Sequence, residues 1–179
     1  VIDTAYAEFA AAHDYDKTFS LADEYHNVII TRTFSKAYSL AGLRLGWGYA
    51  SKSLINMIKK LRPPFNLPPG AIAAGIAALN DEKHLEKVVN HNSNIKSWFI
   101  DELNNLGLVH NGGNDGNFLY VDLKDEKLAQ NIVHALRERK IYIRGRWPFP
   151  YSTGISITGA PVNIMREFYE EFHNVYQTK

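Results

Sequence analysis

A lysine at the end of an apolar run, with an arginine close behind it, is an arrangement with chemical use. Lys36 closes the string Thr33-Phe34-Ser35-Lys36, directly after the β-branched run at residues 27–32, and Arg44 follows eight residues later. Strand ends in α/β sheets are where ligand sites collect. This one offers two hydroxyls, an amine and a guanidinium. A planar guanidinium can hold a phosphate through two hydrogen bonds, hydroxyls add neutral donors, and a neighbouring cation favours the neutral, nucleophilic form of an amine. Taken alone, Ser35 and Lys36 also read as a solvated turn.

Asp3 follows the apolar pair Val1-Ile2, and Tyr6 comes three residues after it, so both could stand at the carboxyl end of a strand near the same site. A carboxylate beside a pyridine nitrogen keeps that nitrogen protonated, and the protonated ring is an electron sink for a carbanion on a substrate. The competing assignment is that Asp3 is a turn or cap residue.

The elements needed to position these groups are visible in outline. Residues 27–32 suit a strand buried on both faces, and residues 43–50, punctuated by Gly46 and Gly48, suit another. Residues 33–42 between them form a loop or short helical turn. Ser51 or Ser53 can cap a helix running to Leu61, which Pro63 and Pro64 stop. Pro68, Pro69 and Gly70 begin an Ala-rich, close-packing helix that extends to Asn80. Asp81 or Glu82 opens a long amphipathic helix with Leu85, Val88, Val89, Ile95, Phe99 and Leu103 on one face, ended by Gly107. A strand (117–123), a helix (125–139), two strands (140–144 and 154–158) and a final helix from Pro161 follow. The organisation is the end of an α/β domain over 1–80, a connecting helix over 81–107, and a small α+β domain over 108–179.

Composition narrows the function. The 179 residues are 45% hydrophobic and 12% aromatic, enough to bury a core. Twenty Lys and Arg against 19 Asp and Glu leave a formal charge of +1, so charge gives no reason to expect nucleic acid or an anionic membrane as partner. Small molecules are the expected partners. There is no cysteine, which excludes disulfides and thiolate chemistry and fits a reducing compartment, so the expected location is cytoplasmic. The longest apolar run, residues 70–79, falls short of the roughly 20 residues of a spanning helix. His13, His26, His84, His91, His110, His134 and His173 are scattered with no metal-ligand spacing, and no metal site is expected. Gly42, Gly46 and Gly48 do not form a dinucleotide fingerprint and read as sites of close backbone packing. Trp98, Phe99, Phe168, Tyr169 and Phe172 fall at helical spacing and read as core.

Two strings carry more. Val1-Ile2-Asp3-Thr4-Ala5-Tyr6-Ala7-Glu8-Phe9 and the run from Arg32-Thr33-Phe34-Ser35-Lys36-Ala37-Tyr38 through Leu40-Ala41-Gly42-Leu43-Arg44-Leu45-Gly46 closely resemble the histidinol-phosphate aminotransferase family. That family lies within the fold-type-I pyridoxal-phosphate (PLP) enzymes. Arg62-Pro63-Pro64-Phe65-Asn66, the Ala-rich helix after it and Asn117-Phe118 resemble the same family. The resemblance implies an α/β fold: the C-terminal part of a fold-type-I PLP transferase, comprising the end of the large sheet domain and a small α+β domain. It implies PLP as cofactor, a Schiff base on Lys36, which would also move the proton, Asp3 at the pyridine nitrogen, Tyr6 at the ring hydroxyl, and Thr33, Ser35 and Arg44 at the phosphate. The implied reaction is amino transfer from an amino acid or amino phosphate to a 2-oxo acid or other carbonyl acceptor, in amino-acid biosynthesis, by a homodimer.

One departure concerns the substrate. The family has an Arg in a strand of the type Leu-Arg-Ile-Thr-x-Gly near the C-terminus, and Gly154-Ile155-Ser156-Ile157-Thr158-Gly159 puts Ile155 in its place. Arg144 and Arg146 could supply a displaced cation for the substrate's acidic group, or be surface charges. Because the chain opens with Val1 on what reads as a strand end, it is expected to lack the N-terminal part of such an enzyme. Two rivals stand beside amino transfer: a catalytically idle PLP-fold module kept for binding, and a related PLP decarboxylase.

Overall fold

The computed structural model describes residues 1–10, 15–111 and 115–178. The chain divides into two compact units, Val1–Asn90 and His91–Lys179, with the boundary inside one long helix.

The first unit contains a three-stranded sheet, β1 (Ile2–Asp3), β2 (Ile29–Thr33) and β3 (Gly46–Ala50), in that spatial order. β1 runs parallel to β2, with Ile2 opposite Ile30 and Asp3 opposite Thr31. The two strands therefore finish at the same edge, and that edge receives the groups singled out above. β3 returns antiparallel, with Thr33 opposite Gly46 and Arg32 opposite Trp47. Because strand side chains alternate, Ile30, Arg32, Trp47 and Tyr49 share a face. The short helix α1 (Thr18–Glu24) lies on it, its Phe19 ring 5.9 Å from Trp47 and 5.3 Å from Tyr49.

The expectation of two strands buried on both faces holds only around Ile30, which is fully buried. Residues Ala41–Leu43 form a 3-10 turn and Arg44 takes a left-handed conformation (φ +53°), so β3 cannot begin before Gly46. As the last strand of the sheet it leaves Trp47 and Tyr49 each 40% exposed. Close packing accounts for Gly46 and Gly48: an added Cβ would stand 2.9 Å from the Arg32 carbonyl oxygen or 3.2 Å from Ile29 Cδ1. It does not account for Gly42, where a Cβ would meet nothing.

Helix α2 (Lys52–Leu61) is capped by Ser51, whose Oγ accepts from the Leu54 amide at 3.4 Å. α3 (Pro69–Leu79) carries proline in its first turn, where the missing N–H costs nothing. Its Gly75 lets the helix approach the chain after β2, since a Cβ there would run into Leu45 and reach Phe34.

Helix α4 (Glu82–Asn105) is the long helix the periodicity predicts. Leu85, Val88 and Val89 are half-buried in the first unit, and Ile95, Phe99 and Leu103 are buried in the second. The second unit is an antiparallel sheet β4 (Val109–Asn111), β5 (Phe118–Asp122) and β6 (Gly154–Thr158), with α5 (Glu126–Glu138) and α6 (Val162–Gln177). Leu119, Val121, Ile155 and Ile157 from the sheet meet Ile132 and Leu136 from α5 and Phe168 and Phe172 from α6 in one core. The aromatic set reads correctly as core: Phe99, Phe168 and Phe172 are buried, and Trp98 and Tyr169 pack beside them.

The strand expected at 140–144 is not formed. Lys140 is left-handed (φ +63°) as it leaves α5, and Arg146 is left-handed again (φ +57°). Between them only Arg144 bridges to the sheet, exchanging backbone hydrogen bonds with Ser156. One strand that the patterning missed, β4, is short and mostly polar, and among the described residues it pairs with β5.

Candidate functional site

The turn that follows β2 is knotted by its own hydrogen bonds. The Phe34 amide donates to the Leu45 carbonyl at 3.1 Å, and the Leu40 amide to the Phe34 carbonyl at 3.0 Å. The Ser39 amide closes back onto Lys36 at 2.9 Å, with Ser39 itself left-handed (φ +59°). Phe34 and Ala37 are buried, which pins the backbone on either side of Lys36 and leaves the lysine half-buried between them. Apolar neighbours thus fix the turn while the polar residues in it stay available.

Those polar residues converge. Thr33 Oγ1 donates to Ser35 Oγ at 2.9 Å, and the Ser35 amide donates back to Thr33 Oγ1 at 3.0 Å. Lys36 Nζ lies 5.4 Å from the centre of the Tyr6 ring, within the range of a cation–π contact. Tyr6 belongs to the turn that leaves β1, so this contact joins the two strand ends that the parallel pairing sets side by side. Asp3 closes β1 with an exposed carboxylate that accepts from the Ala5 amide at 3.0 Å, which holds it as a turn residue while leaving oxygen exposed. Both sequence assignments of Asp3, turn residue and strand-end carboxylate, describe the same side chain.

Arg44 follows from the other side. Its backbone precedes Leu45, whose carbonyl accepts from Phe34 and, at 3.4 Å, from Thr33 Oγ1. Its guanidinium is exposed and donates to the Ala41 carbonyl at 2.7 Å. The structure thus pairs Thr33 with Ser35 and Lys36 with Tyr6 at one turn, and places Asp3 and Arg44 on the adjoining chain ends.

The remaining candidates belong to the second unit. Arg144 stacks on Trp147, its guanidinium carbon 3.8 Å from the ring centre, and Arg146 is exposed on its left-handed backbone. Ile155 is fully buried among Val121, Val133 and the α5 side chains. A side chain at 155 faces the core, so the residue there cannot present any group to a ligand. Ser156, the next residue of β6, faces away from the core beside Arg144.

Sequence reasoning assigned no role to the charged residues behind the site. Arg32 Nη2 meets Asp16 Oδ1 at 2.8 Å, Arg32 Nη1 approaches Glu8 Oε1 at 3.8 Å, and the guanidinium lies over Phe19 (5.2 Å) and Trp47 (5.8 Å). Burial pushes the Glu8 carboxyl above the ordinary carboxylate range, outweighing its own backbone hydrogen bond and the attraction of Arg32. Burial likewise raises the Tyr38 phenol, helped by the Glu8 charge. An arginine inside an otherwise uncharged, β-branched strand was the available signal. Among the described residues no group of three or more His, Asp or Glu gathers as a metal site; His13 lies outside the described residues. No helix among the described residues is long and apolar enough to cross a membrane.

This geometry has close counterparts. A family model described as Aminotransferase class I and II matches residues 1–164. A histidinol-phosphate aminotransferase of Geobacillus sp. (strain WCH70) is 39% identical over 158 residues, covering 88% of this chain and 42% of the relative. One from Maricaulis maris (strain MCS10) is 44% identical over 108 residues, covering 60% of this chain and 30% of the relative. The crystal structure of histidinol-phosphate aminotransferase from Sinorhizobium meliloti in complex with pyridoxal-5'-phosphate superimposes with a TM-score of 0.91 at 32% identity, covering 98% of this chain and 48% of that one. The chain thus matches less than half the length of each of these three.

Proposed function

The chain belongs to the aminotransferase class I and II family, and from that premise we propose that it carries the PLP-binding and catalytic lysine region of a histidinol-phosphate aminotransferase-like enzyme. The observation that supports this most directly is the turn after β2, which gathers the Thr33 and Ser35 hydroxyls and packs Lys36 against Tyr6.

The donor set fits the cofactor. Thr33, Ser35 and the Arg44 guanidinium suit its phosphate, as neutral and charged donors respectively. The Asp3 carboxylate suits a protonated ring nitrogen, and the Tyr6 phenol suits the ring hydroxyl. When bound, PLP supplies an aldehyde that bonds an amine and a ring that withdraws electrons from the substrate's α-carbon. Lys36 Nζ would hold the cofactor through that aldehyde, with loss of water, and as a free amine it would be the base that carries a proton from the substrate's α-carbon to the cofactor.

The substrates we assign are an amino acid or amino phosphate as donor and a 2-oxo acid or other carbonyl compound as acceptor. Arg144 and Arg146 are the cations offered to the acidic group. A homodimer is supported by the apolar side chains that α2, the turn after it and α3 leave exposed, among them Leu61, Phe65 and Ile76. A cytoplasmic setting is supported by the absence of cysteine.

The test is borohydride reduction of the protein with substoichiometric PLP, peptide mapping of the label, and amino transfer to a 2-oxo acid. The label should fall on Lys36, and Lys36→Ala should lose both label and turnover. Undiminished turnover in Lys36→Ala, or a specific label on a different lysine, would overturn the assignment.

A further inference from the structure

Tyr6 reaches Lys36 from a turn that is tied to β2 on both sides. Ahead of it, the buried Thr4 gives both its amide and its Oγ1 to the Thr31 carbonyl, at 2.9 and 3.0 Å. Behind it, the 3-10 turn Ala7–Phe9 carries Glu8, whose carboxylate faces Arg32 at 3.8 Å. Thr31 and Arg32 are consecutive residues of β2, and the Lys36 turn begins one residue further on. Tyr6 is thus bracketed by two attachments to the strand that delivers Lys36.

The second attachment is an odd one for stability. The Arg32 and Glu8 side chains retain only 15% and 10% of their exposure, and their separation is long for an ion pair. Removing two charges from water costs more than a loose contact returns, and a buried pair of this kind is weak evidence for stability. The raised Glu8 carboxyl agrees: burial outweighs Arg32. What the pair does supply is direction, since Arg32 is already immobilised by Phe19, Trp47 and Asp16. Glu8 is faced by Arg32 from β2 and by Asp16 from the later 3-10 turn Tyr15–Lys17, and its charge is felt by Tyr38 from the Lys36 turn.

Building on the functional reading above, we propose that Glu8 and Arg32 are a positioning pair: by fixing the turn that carries Tyr6, they set where the tyrosine stands against Lys36 and its bound cofactor. Neither residue touches the reacting atoms. Their effect passes through Tyr6, and that makes it measurable.

The experiment is a double-mutant cycle between Glu8→Gln and Tyr6→Phe in the native protein. It is read as the pH midpoint of the visible absorbance of the Lys36-bound cofactor, with thermal unfolding followed in parallel. Glu8→Gln keeps shape and removes a costly buried charge, so it should fold as well as the wild type. Its midpoint should move in the direction of Tyr6→Phe, and the double variant should move no further than Tyr6→Phe alone. Arg32→Lys, which keeps a charge for Glu8, should move it less than Arg32→Met. Asp16→Asn, which removes one exposed partner of an Arg32 still held by Phe19 and Trp47, should move it less than Arg32→Met. Additive shifts, or no shift in a folded Glu8→Gln, would overturn this inference while leaving the cofactor assignment intact. A wild-type protein that never carries cofactor on Lys36 would overturn the functional reading, and this inference with it.

Discussion

Replacing Ile155 by arginine should destabilise the second unit severely rather than supply a substrate-binding cation. The side chain at 155 has no exposed surface and packs among Val121, Val133 and the residues of α5. Losing its burial costs about 1.5–3 kcal/mol. An unpaired guanidinium left in that core adds several kcal/mol more after relaxation. The sum, on the order of 5 kcal/mol or above, approaches the whole stability of a typical domain. Ile155→Val removes one methyl group and should cost about 0.5–1.5 kcal/mol, which calibrates the scale.

Ser156→Arg provides the contrast. Ser156 is half-buried on the face of β6 that points away from the core, and it pairs with Tyr120 and bridges to Arg144. Like charge beside Arg144 should cost within about 1 kcal/mol. Because side chains alternate along a strand, one residue of register decides between these outcomes. Urea unfolding followed by tryptophan fluorescence, with Trp98 and Trp147 as reporters in this unit, measures both variants. An Ile155→Arg protein with a wild-type midpoint, or a Ser156→Arg protein less stable than it, would refute the assignment of faces.

Three further outcomes follow from the site and its surroundings. Arg44→Ala should weaken PLP retention about tenfold or more, the size of one charge-assisted hydrogen bond at ~1.5–3 kcal/mol, while Lys36 still reacts at high cofactor concentration; equilibrium dialysis checks it, and unchanged affinity would remove Arg44 from the phosphate site. Asp3→Asn should bind PLP but slow single-turnover amino transfer, because a neutral amide no longer favours the protonated ring nitrogen; a wild-type rate in rapid-mixing measurements would count against that role. Lys96 is 2% exposed with Nζ on the Gly116 carbonyl at 3.0 Å, and burial lowers its amine below the ordinary 10.5, partly opposed by the Asp115 charge. The unfolded chain then binds the extra proton between the lowered value and 10.5, so this residue makes stability rise with pH across that window. Lys96→Met should flatten that rise in urea titrations, and an unchanged slope would refute the linkage.

How much of this could be read beforehand depended on the distance over which each feature is encoded. Helices α4, α5 and α6 were legible because an apolar stripe of helical period is written in consecutive residues, and α2 because Ser51 and the prolines after Leu61 mark its ends. The segment at 140–144 shows the limit: Ile141 and Ile143 alternate as a strand would, yet left-handed residues at Lys140 and Arg146 leave room for one bridge. Helix α1 and strand β4 escaped because both are short and mostly polar, and tertiary pairing rather than their own pattern holds them.

The same contrast runs through the site. Thr33, Ser35 and Lys36 are neighbours in sequence, so a short turn suffices to join the two hydroxyls beside the lysine, and that proximity was visible in the order of residues. Tyr6 meets Lys36 only because β1 and β2 run parallel and end together, a fact of topology that neither string contains alone. Glu8 and Arg32 stand one step further removed. Each looks like a surface charge in its own segment, and only the closure of the sheet under α1 sets Arg32 among two carboxylates and two aromatic rings. Reactive groups can be specified locally because bonds are made by atoms. Their orientation cannot, because a lysine half-buried on a turn retains rotamers that distant packing must remove. The residues that fix the geometry of this site are therefore those whose sequence context says least about it.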